Sequence, residues 1–529
     1  MSSDDELRRV KEQIESMLKN PIEPKYAPYP IRVSGKVVQQ ISTGIYRSPG
    51  NAVKELVNNA FDADAPEVII KTGLPTFTAF QVYDTGGGMS PNEFVTRMQS
   101  IGASMKGAEG STPSGRPIIG KIGIGLLAAA HISRKFTVIS GREKFEQGFE
   151  AKIDMSRFFE TETETKPLEE ISAGSIQLRT YIKPKDEHYT LIQMDETSDT
   201  WRKQLGLRWD HSYFNTEPRP GYKAFVLQMQ ESQDRVSRLS GYDQLLWELG
   251  LLCPVAYFED GPIAGVQNKN IDAIKGRLNS YNFTLTVDDT RVRKPFLFPA
   301  PGDELTPIKD YGVYPLTITA SSDDAKVSAI GYVYHQAVRI IPPELRGILP
   351  RIRNVGIGLP SYNMFRVLTE SPVISYQVFG ELYVDEGLDT ALNIDRSSFF
   401  EGDPSFKLLV RQIEEALKES KIIGDIRTRQ NERSAARKRV KADYLTAALA
   451  KVAAAGGIKS PRIRFLNETS EYPVKIIKKS GFVLFYTKGI RKRNRDLLLG
   501  TLLCYELAKG TENPAGTFLD LVRIFFDEV

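Results

Sequence analysis

Cysteine is nearly absent from this 529-residue chain: Cys253 and Cys504 are the two, far apart in sequence. That argues against a disulfide framework, a cysteine zinc site and a thiol enzyme. The four histidines (His131, His188, His211 and His335) are scattered, without metal-ligand spacing. No run approaches the ~18 apolar residues that a membrane span needs. The opening residues, Met-Ser-Ser-Asp-Asp-Glu, are acidic and carry no apolar stretch, so a secretion signal is not expected. These features lead to the expectation of a reducing cytoplasm and no membrane. What remains is ordinary globular composition, 41% hydrophobic and 26% charged. The length suits about three domains.

The most informative stretch is Lys54-Glu-Leu-Val-Asn-Asn-Ala-Phe-Asp-Ala-Asp64. Glu55, Asn59 and Asp62 stand at i, i+4 and i+7, which on a helix share one face. Val53, Leu56, Val57 and Ala60 point elsewhere and can anchor that helix in a core. A polar stripe on a buried helix needs an occupant or water, because unpaired buried polar groups are costly. A hydrated magnesium ion beside a nucleotide phosphate suits it; a solvated helix face is the alternative. A second motif, Tyr83-Asp-Thr-Gly-Gly-Gly-Met89, follows the apolar run Phe80–Tyr83. There a strand ends on a carboxylate, and three glycines let the backbone approach a ligand. A third, Ile119-Gly-Lys-Ile-Gly-Ile-Gly125, leads into a helical run. Glycines ahead of a helix leave backbone N–H groups free at its positive end, a phosphate cradle.

In this order and spacing the three motifs resemble the Bergerat nucleotide fold of the GHKL ATPases, over the first half of the chain. Gyrase, the ninety-kilodalton heat-shock chaperones, histidine kinases, MutL and MORC proteins share that fold. The wording near Glu55 is most similar to MutL and the topoisomerase VI type. The glycine segment is most similar to the chaperones. The resemblance implies an α/β protein, with a two-layer α/β sandwich for ATP and an α/β transducer domain; the region beyond 420, read from its own residues, is expected to be basic and mainly helical. The resemblance also implies ATP and Mg2+ as ligands and a homodimer as the working form. Glu55 then matches the general base and Asn59 the magnesium ligand. Asp84 matches the carboxylate that accepts the adenine amino group, with Gly86, Gly88 and Met89 beside the base. Gly120, Gly123 and Gly125 match the phosphate-binding edge. Ser175, in Ala173-Gly-Ser-Ile-Gln-Leu178, matches a strand hydroxyl that supports Asp84; the family usually has threonine there. Asp62 either touches ligand or braces the helix. Lys106 either reaches a phosphate or is solvated.

One competing motif is present. Gly115–Lys121 reads as the start of a Walker A loop, but Ile122 stands where that loop needs Ser or Thr for magnesium. Residues 107–120 are instead expected to form a mobile lid.

Along the chain, residues 1–30 read as a short charged helix and a proline-bearing arm. That arm either crosses to a partner subunit or hangs free. The ATP-binding domain is expected over 31–262, with strands at Val68–Thr72, Ala79–Tyr83, Phe136–Ser140, Ser175–Arg179 and Val255–Phe258. A strand-rich transducer domain is expected over 263–420. Its Leu392-Asn-Ile-Asp-Arg396 resembles the chaperone segment whose arginine reaches the γ-phosphate. Arginine suits that task because it stays charged and forks onto phosphate oxygens.

The region 421–529 holds 22 Lys and Arg against 11 Asp and Glu, while the whole chain carries +4. Its basic clusters, Arg427–Lys441 and Arg491–Arg495, suit an anionic partner such as nucleic acid or a protein client, or else a solvated face. The functional expectation is an ATP-operated dimeric clamp, chaperone-like or partner-remodelling. The alternatives are a nucleic-acid-acting MutL- or MORC-like ATPase and a nucleotide sensor with little turnover. A histidine kinase is disfavoured, since no phosphoacceptor helix with a histidine precedes the ATP motifs.

Overall fold

The computed structural model describes residues 48–99, 111–119, 127–156, 175–259, 261, 265–297, 311–336, 339–360, 376–393 and 397–419. Beyond 420 it describes short stretches that include 463–466, 474–477, 481–485 and 507–528. The chain divides into two compact units, Met1–Ala416 and Leu417–Val529.

The first unit begins with helix α1 (Pro49–Asp62). Ser48 is its N-cap, accepting a hydrogen bond from the Asn51 N–H at 3.3 Å, and Pro49 fits the first turn, where no N–H is needed. Nine of its fourteen residues are buried. Strands β1 (Glu67–Lys71), β2 (Phe80–Asp84), β3 (Lys135–Gly141), β4 (Gln147–Asp154), β5 (Ser175–Ile182), β6 (Tyr189–Met194), β7 (Thr284–Val287) and β8 (Thr290–Arg291) form one eight-stranded sheet, ordered β5-β4-β3-β6-β2-β1-β7-β8. All neighbours are antiparallel except β1 and β7. β1, β2, β3 and β6 alternate buried and more exposed residues, so one face is sealed. Against that face pack α1 and the helices α2 (Pro91–Gln99), α3 (Leu127–Ile132), α4 (Asp199–Leu205), α5 (Tyr222–Glu231) and α6 (Gly241–Leu252). Trp201 meets Phe80 edge to face at 5.3 Å, and Phe61 meets Phe283 at 5.4 Å.

Two differences from the sequence reading concern the end of this domain. Residues 255–258 join no sheet; the Ala256 carbonyl accepts one bond from the Lys294 N–H at 3.0 Å. And β7 and β8 lie past residue 262 yet complete the first sheet, reached through α7 (Lys269–Ser280). Helix α7 leads directly into β7, which lies parallel to β1.

The second sheet is five-stranded, ordered β12-β11-β13-β10-β9. Its strands are β9 (Tyr311–Ser321), β10 (Lys326–Gln336), β11 (Gly347–Ile352), β12 (Val355–Gly356) and β13 (Val378–Glu386). Helix α8 (Pro404–Glu419) follows. In the last unit, β14 (Ile463–Leu466), β15 (Val474–Ile477) and β16 (Gly481–Phe485) form a three-stranded sheet, followed by α9 (Pro514–Glu528). Both cysteines are free and buried. Among the described residues, no helix is long and apolar enough to cross a membrane.

A buried ionic cluster joins the second sheet to the first domain. Glu381 on β13 accepts from Arg351 Nε, from the Tyr257 hydroxyl and, at 2.7 Å, from the Tyr332 hydroxyl. Lys294 Nζ lies 3.8 Å away, and both charges are fully shielded. Arg351 also donates to the Leu251 carbonyl at the end of α6, at 2.7 Å. Burial alone would raise the Glu381 carboxyl; Arg351 and Lys294 overcome it and hold it below the usual range. Burial, reinforced by Arg351, drives Lys294 far below its ordinary value. Removing one member of such a cluster strands the others. Glu381→Ala is expected to lower unfolding stability by about 3–5 kcal/mol, read from the urea midpoint. The folded carboxyl lies below its unfolded value of 4.5, so its contribution is complete above that value. It is lost as pH falls through the folded value.

Candidate nucleotide site

The polar stripe on α1 survives folding. Glu55, Asn59 and Asp62 are half-buried, while their helix neighbours Val53, Lys54, Leu56, Val57, Asn58, Ala60 and Phe61 are buried. Asn58 Nδ2 contacts Glu55 Oε1 at 3.4 Å. Ser48 Oγ donates to Glu248 Oε2 on α6 at 2.6 Å, fixing the N-terminal end. Gly50 sits so close that a Cβ there would lie 2.0 Å from that same Oε2.

The glycine motif after β2 stands beside the other end of α1. The Gly87 N–H donates to the Ala63 carbonyl at 2.8 Å, and the Gly86 N–H to Asp84 Oδ1 at 2.9 Å. A Cβ on Gly86 would come within 2.9 Å of that oxygen, and Gly88 has a φ of 64° that favours glycine. The Gly86 carbonyl is 2.8 Å from His188 Nδ1, which donates to it. The Met89 N–H donates to Ser140 Oγ at 2.9 Å. Asp84 is buried, and burial raises its carboxyl to about 7, against the lowering effect of the Gly86 N–H.

The hydroxyls on the Asp84 side of the sheet belong to residues the sequence reading did not single out, Ser140 on β3 and Thr190 on β6. Strand register sets Thr190 on β6 opposite Asp84 on one side and opposite Ser140 on the other. Ser140 and Thr190 hydroxyls lie 3.1 Å apart, and Ser140 also donates to the Tyr189 carbonyl at 2.9 Å. Ser175 does not fill this role. It opens the edge strand β5, exposed and paired with Asp154, with β4, β3 and β6 between it and β2. At ~4.8 Å per strand it is too remote to touch Asp84. The local sequence Gly-Ser-Ile resembled the supporting strand; the pairing order excludes it. A threonine, Thr190, stands opposite Asp84 instead, which is legible only once β6 is paired with β2.

The segment 111–119 is pinned to the C-terminal end of α1. Asp62 Oδ1 accepts from the Ile119 N–H at 2.7 Å, so Asp62 braces this segment. Asp64 Oδ2 accepts from the Ser114 N–H at 3.1 Å, and its other oxygen takes the Thr112 hydroxyl at 2.5 Å. Buried Arg116 donates to the carbonyls of Ala65 at 2.8 Å and Tyr281 at 2.5 Å, with its guanidinium 4.8 Å from the Phe61 ring centre. Residues 111–119, within the segment expected to form a lid, are thus a hairpin hydrogen-bonded to α1 in this structure. Gly115, at φ 84°, turns that hairpin rather than opening a Walker loop. Lys106, Gly120, Gly123, Gly125 and Arg396 lie outside the described residues, as does the arm over 1–30.

Residues 46–190 match the family model described as Histidine kinase-, DNA gyrase B-, and HSP90-like ATPase. Over these residues, with the sheet and the α1 stripe, the chain is similar to the GHKL class of ATP-binding domains. Within that class its likeness runs to MutL. The DNA mismatch repair protein MutL of Xanthomonas oryzae pv. oryzae is 34% identical over 125 residues, 23% of this chain and 20% of that protein. MutL of Neisseria meningitidis serogroup B is 23% identical over 222 residues, 41% of this chain and 32% of that protein. A protein named as a type II restriction enzyme, HgiDII of Herpetosiphon aurantiacus, is 32% identical over 121 residues, 23% and 19% of the two chains. The matches thus cover a third or less of each relative's length.

Asp84 supplies a direct check on this geometry. Its folded value of about 7 lies above its ordinary 3.8, so the folded state binds the extra proton between them. Its contribution to stability is present below 3.8 and is lost as pH rises through 7. Asp84→Asn is expected to flatten that part of the thermal stability profile between pH 4 and 8.

Proposed function

We propose that the chain hydrolyses ATP with magnesium and that the first domain converts nucleotide binding into motion of a dimeric clamp. The observation that carries this reading is the half-buried stripe Glu55–Asn59–Asp62 on an otherwise buried α1, one turn from the glycine loop that Ala63 holds. Glu55 orients the attacking water and takes its proton. Asp84, held by Gly86 and flanked by Thr190, accepts the adenine amino group and so selects adenine. Gly86, Gly88 and Met89 lie along the base. Gly120, Gly123, Gly125 and Lys106 serve the phosphates with backbone N–H groups and one cation. Arg396, from the second domain, senses the γ-phosphate.

The donor set fits magnesium. Asn59 offers a hard, neutral oxygen one helical turn from the Glu55 carboxylate, both reachable by solvent. When bound, the ion would neutralise charge developing on the phosphate oxygens.

Steady-state ATP turnover against protein concentration tests this. Turnover per subunit is expected to rise with concentration, as a dimer-gated enzyme requires. Glu55→Ala is expected to lose turnover by about 10²-fold or more while ATP still binds. Unchanged turnover in that variant removes Glu55 as the base.

A second reading is favoured by the charge of 421–529, 22 basic against 11 acidic residues. There the clamp acts on nucleic acid, as the MutL likeness suggests, rather than on a protein client. Duplex DNA affinity is then expected to fall steeply with salt. Replacing Arg491, Lys492, Arg493 and Arg495 together by alanine should flatten that slope, measured by titration at several salt concentrations.

A further inference from the structure

Arg353 stands in the turn between β11 and β12 with φ of 51°, beside Asn354 at 71°. Two successive left-handed non-glycine residues are costly, so their surroundings must hold them. Asn354 Nδ2 donates to the Tyr281 hydroxyl at 2.8 Å, and its carbonyl accepts from buried Arg351 at 3.2 Å. The turn aims the Arg353 guanidinium at two targets. Nη1 donates to the Ile118 carbonyl at 2.7 Å, and Nη2 reaches both Asp389 carboxylate oxygens at 2.9 Å. The arginine side chain is 19% exposed and the aspartate 42%. The pair is thus partly shielded from water and salt.

These bonds continue a line already begun at α1. Asp62 holds the Ile119 N–H, Arg353 holds the neighbouring Ile118 carbonyl, and the same guanidinium holds Asp389. Asp389 follows β13 and precedes Arg396 by seven residues. Polar contacts therefore run from the α1 stripe to the loop that leads toward Arg396.

We propose that Arg353 is a positioning residue for the ATPase reaction. It acts through Ile118 and Asp389, coupling the clamped 111–119 segment to the loop that leads to Arg396. This rests on the ATPase reading above. The planar fork suits the task, since one guanidinium serves a carbonyl and a carboxylate together. A lysine has one ammonium and cannot keep both geometries.

The test uses the full chain as wild type, Arg353→Ala, Arg353→Lys and Asp389→Asn. Three quantities are measured: the ATP dissociation constant, kcat with KM, and amide hydrogen exchange with and without ATP. The expected result is ATP affinity within about threefold of wild type, with kcat reduced roughly tenfold in the alanine and asparagine variants and less in the lysine variant. The ATP-dependent exchange change at 387–393 disappears while that at 85–89 persists. Wild-type kcat in Arg353→Ala and Asp389→Asn, with the change at 387–393 intact, overturns the inference alone. So does a parallel loss of ATP binding and of protection throughout the domain, which marks a merely structural arginine. Wild-type protein that neither binds nor turns over ATP overturns the ATPase reading itself, and the coupling with it.

Discussion

The C-terminal end of α1 and the residues just after it carry hydrogen bonds to two other parts of the first domain. Ala63 receives the glycine loop through the Gly87 N–H, while Asp62 and Asp64 receive the hairpin at Ile119, Thr112 and Ser114. Arg116 returns to the carbonyls of Phe61 and Ala65 and stacks on the Phe61 ring. A helix end leaves its last carbonyls without intrahelical partners, and here the chain supplies them from elsewhere. Both parts are thereby placed relative to Asn59 and Glu55, which lie one and two turns earlier on the same helix. The helix can serve as this fixed point because its other faces are buried against α3, α6 and the sheet.

The second sheet is held to that domain by polar contacts as well as apolar ones. Phe296 packs on Phe379 at 4.5 Å, and Arg351 bridges Glu381 and the Leu251 carbonyl. Burying these charges is unfavourable unless each finds a partner, so the arrangement tolerates few alternatives. Tyr257 deepens the constraint by joining Glu381 to the Tyr383 hydroxyl at 2.7 Å. Residues 255–258 stay outside both sheets, and Tyr257 there serves the cluster. Directional bonds of this kind orient the β11–β12 turn, and the turn in turn sets Arg353 between Ile118 and Asp389.

Much of the candidate site was legible in the sequence, because its elements are local. The i, i+4, i+7 spacing of Glu55, Asn59 and Asp62 is a property of one helix, and the structure keeps those residues on its half-exposed face. The turn at Asp84–Met89 follows from a strand ending on three glycines, and Gly88 adopts the positive φ such a turn needs. The strand-rich stretch after β8 was legible for the same reason, since short runs rich in β-branched and aromatic residues are a local signal. The misplaced role of Ser175 shows the limit. Its flanking residues suit a supporting strand, yet a neighbour in a sheet is chosen by pairing order, which one strand's sequence does not carry. The bonds that tie 111–119 to α1 were not legible for a related reason. Glycine, serine and proline mark a turn, but Asp62, Asp64 and Arg116 decide whether that turn is tied down.

By itself, then, the sequence determined the elements and the chemistry they carry: the polar helix stripe, the carboxylate before a glycine turn, the excess of basic residues after 420. Periodicity and backbone stereochemistry act within a few residues, so they are written in the order of the chain. Only the tertiary structure decided which distant groups meet. It set Thr190 beside Asp84 and Ser140 beside Thr190, carried β7 and β8 into the first sheet, buried Glu381 between Arg351 and Lys294, and brought Arg353 to Ile118 and Asp389. Those meetings depend on pairing order, burial and the satisfaction of buried charge, which arise from the whole packed chain at once.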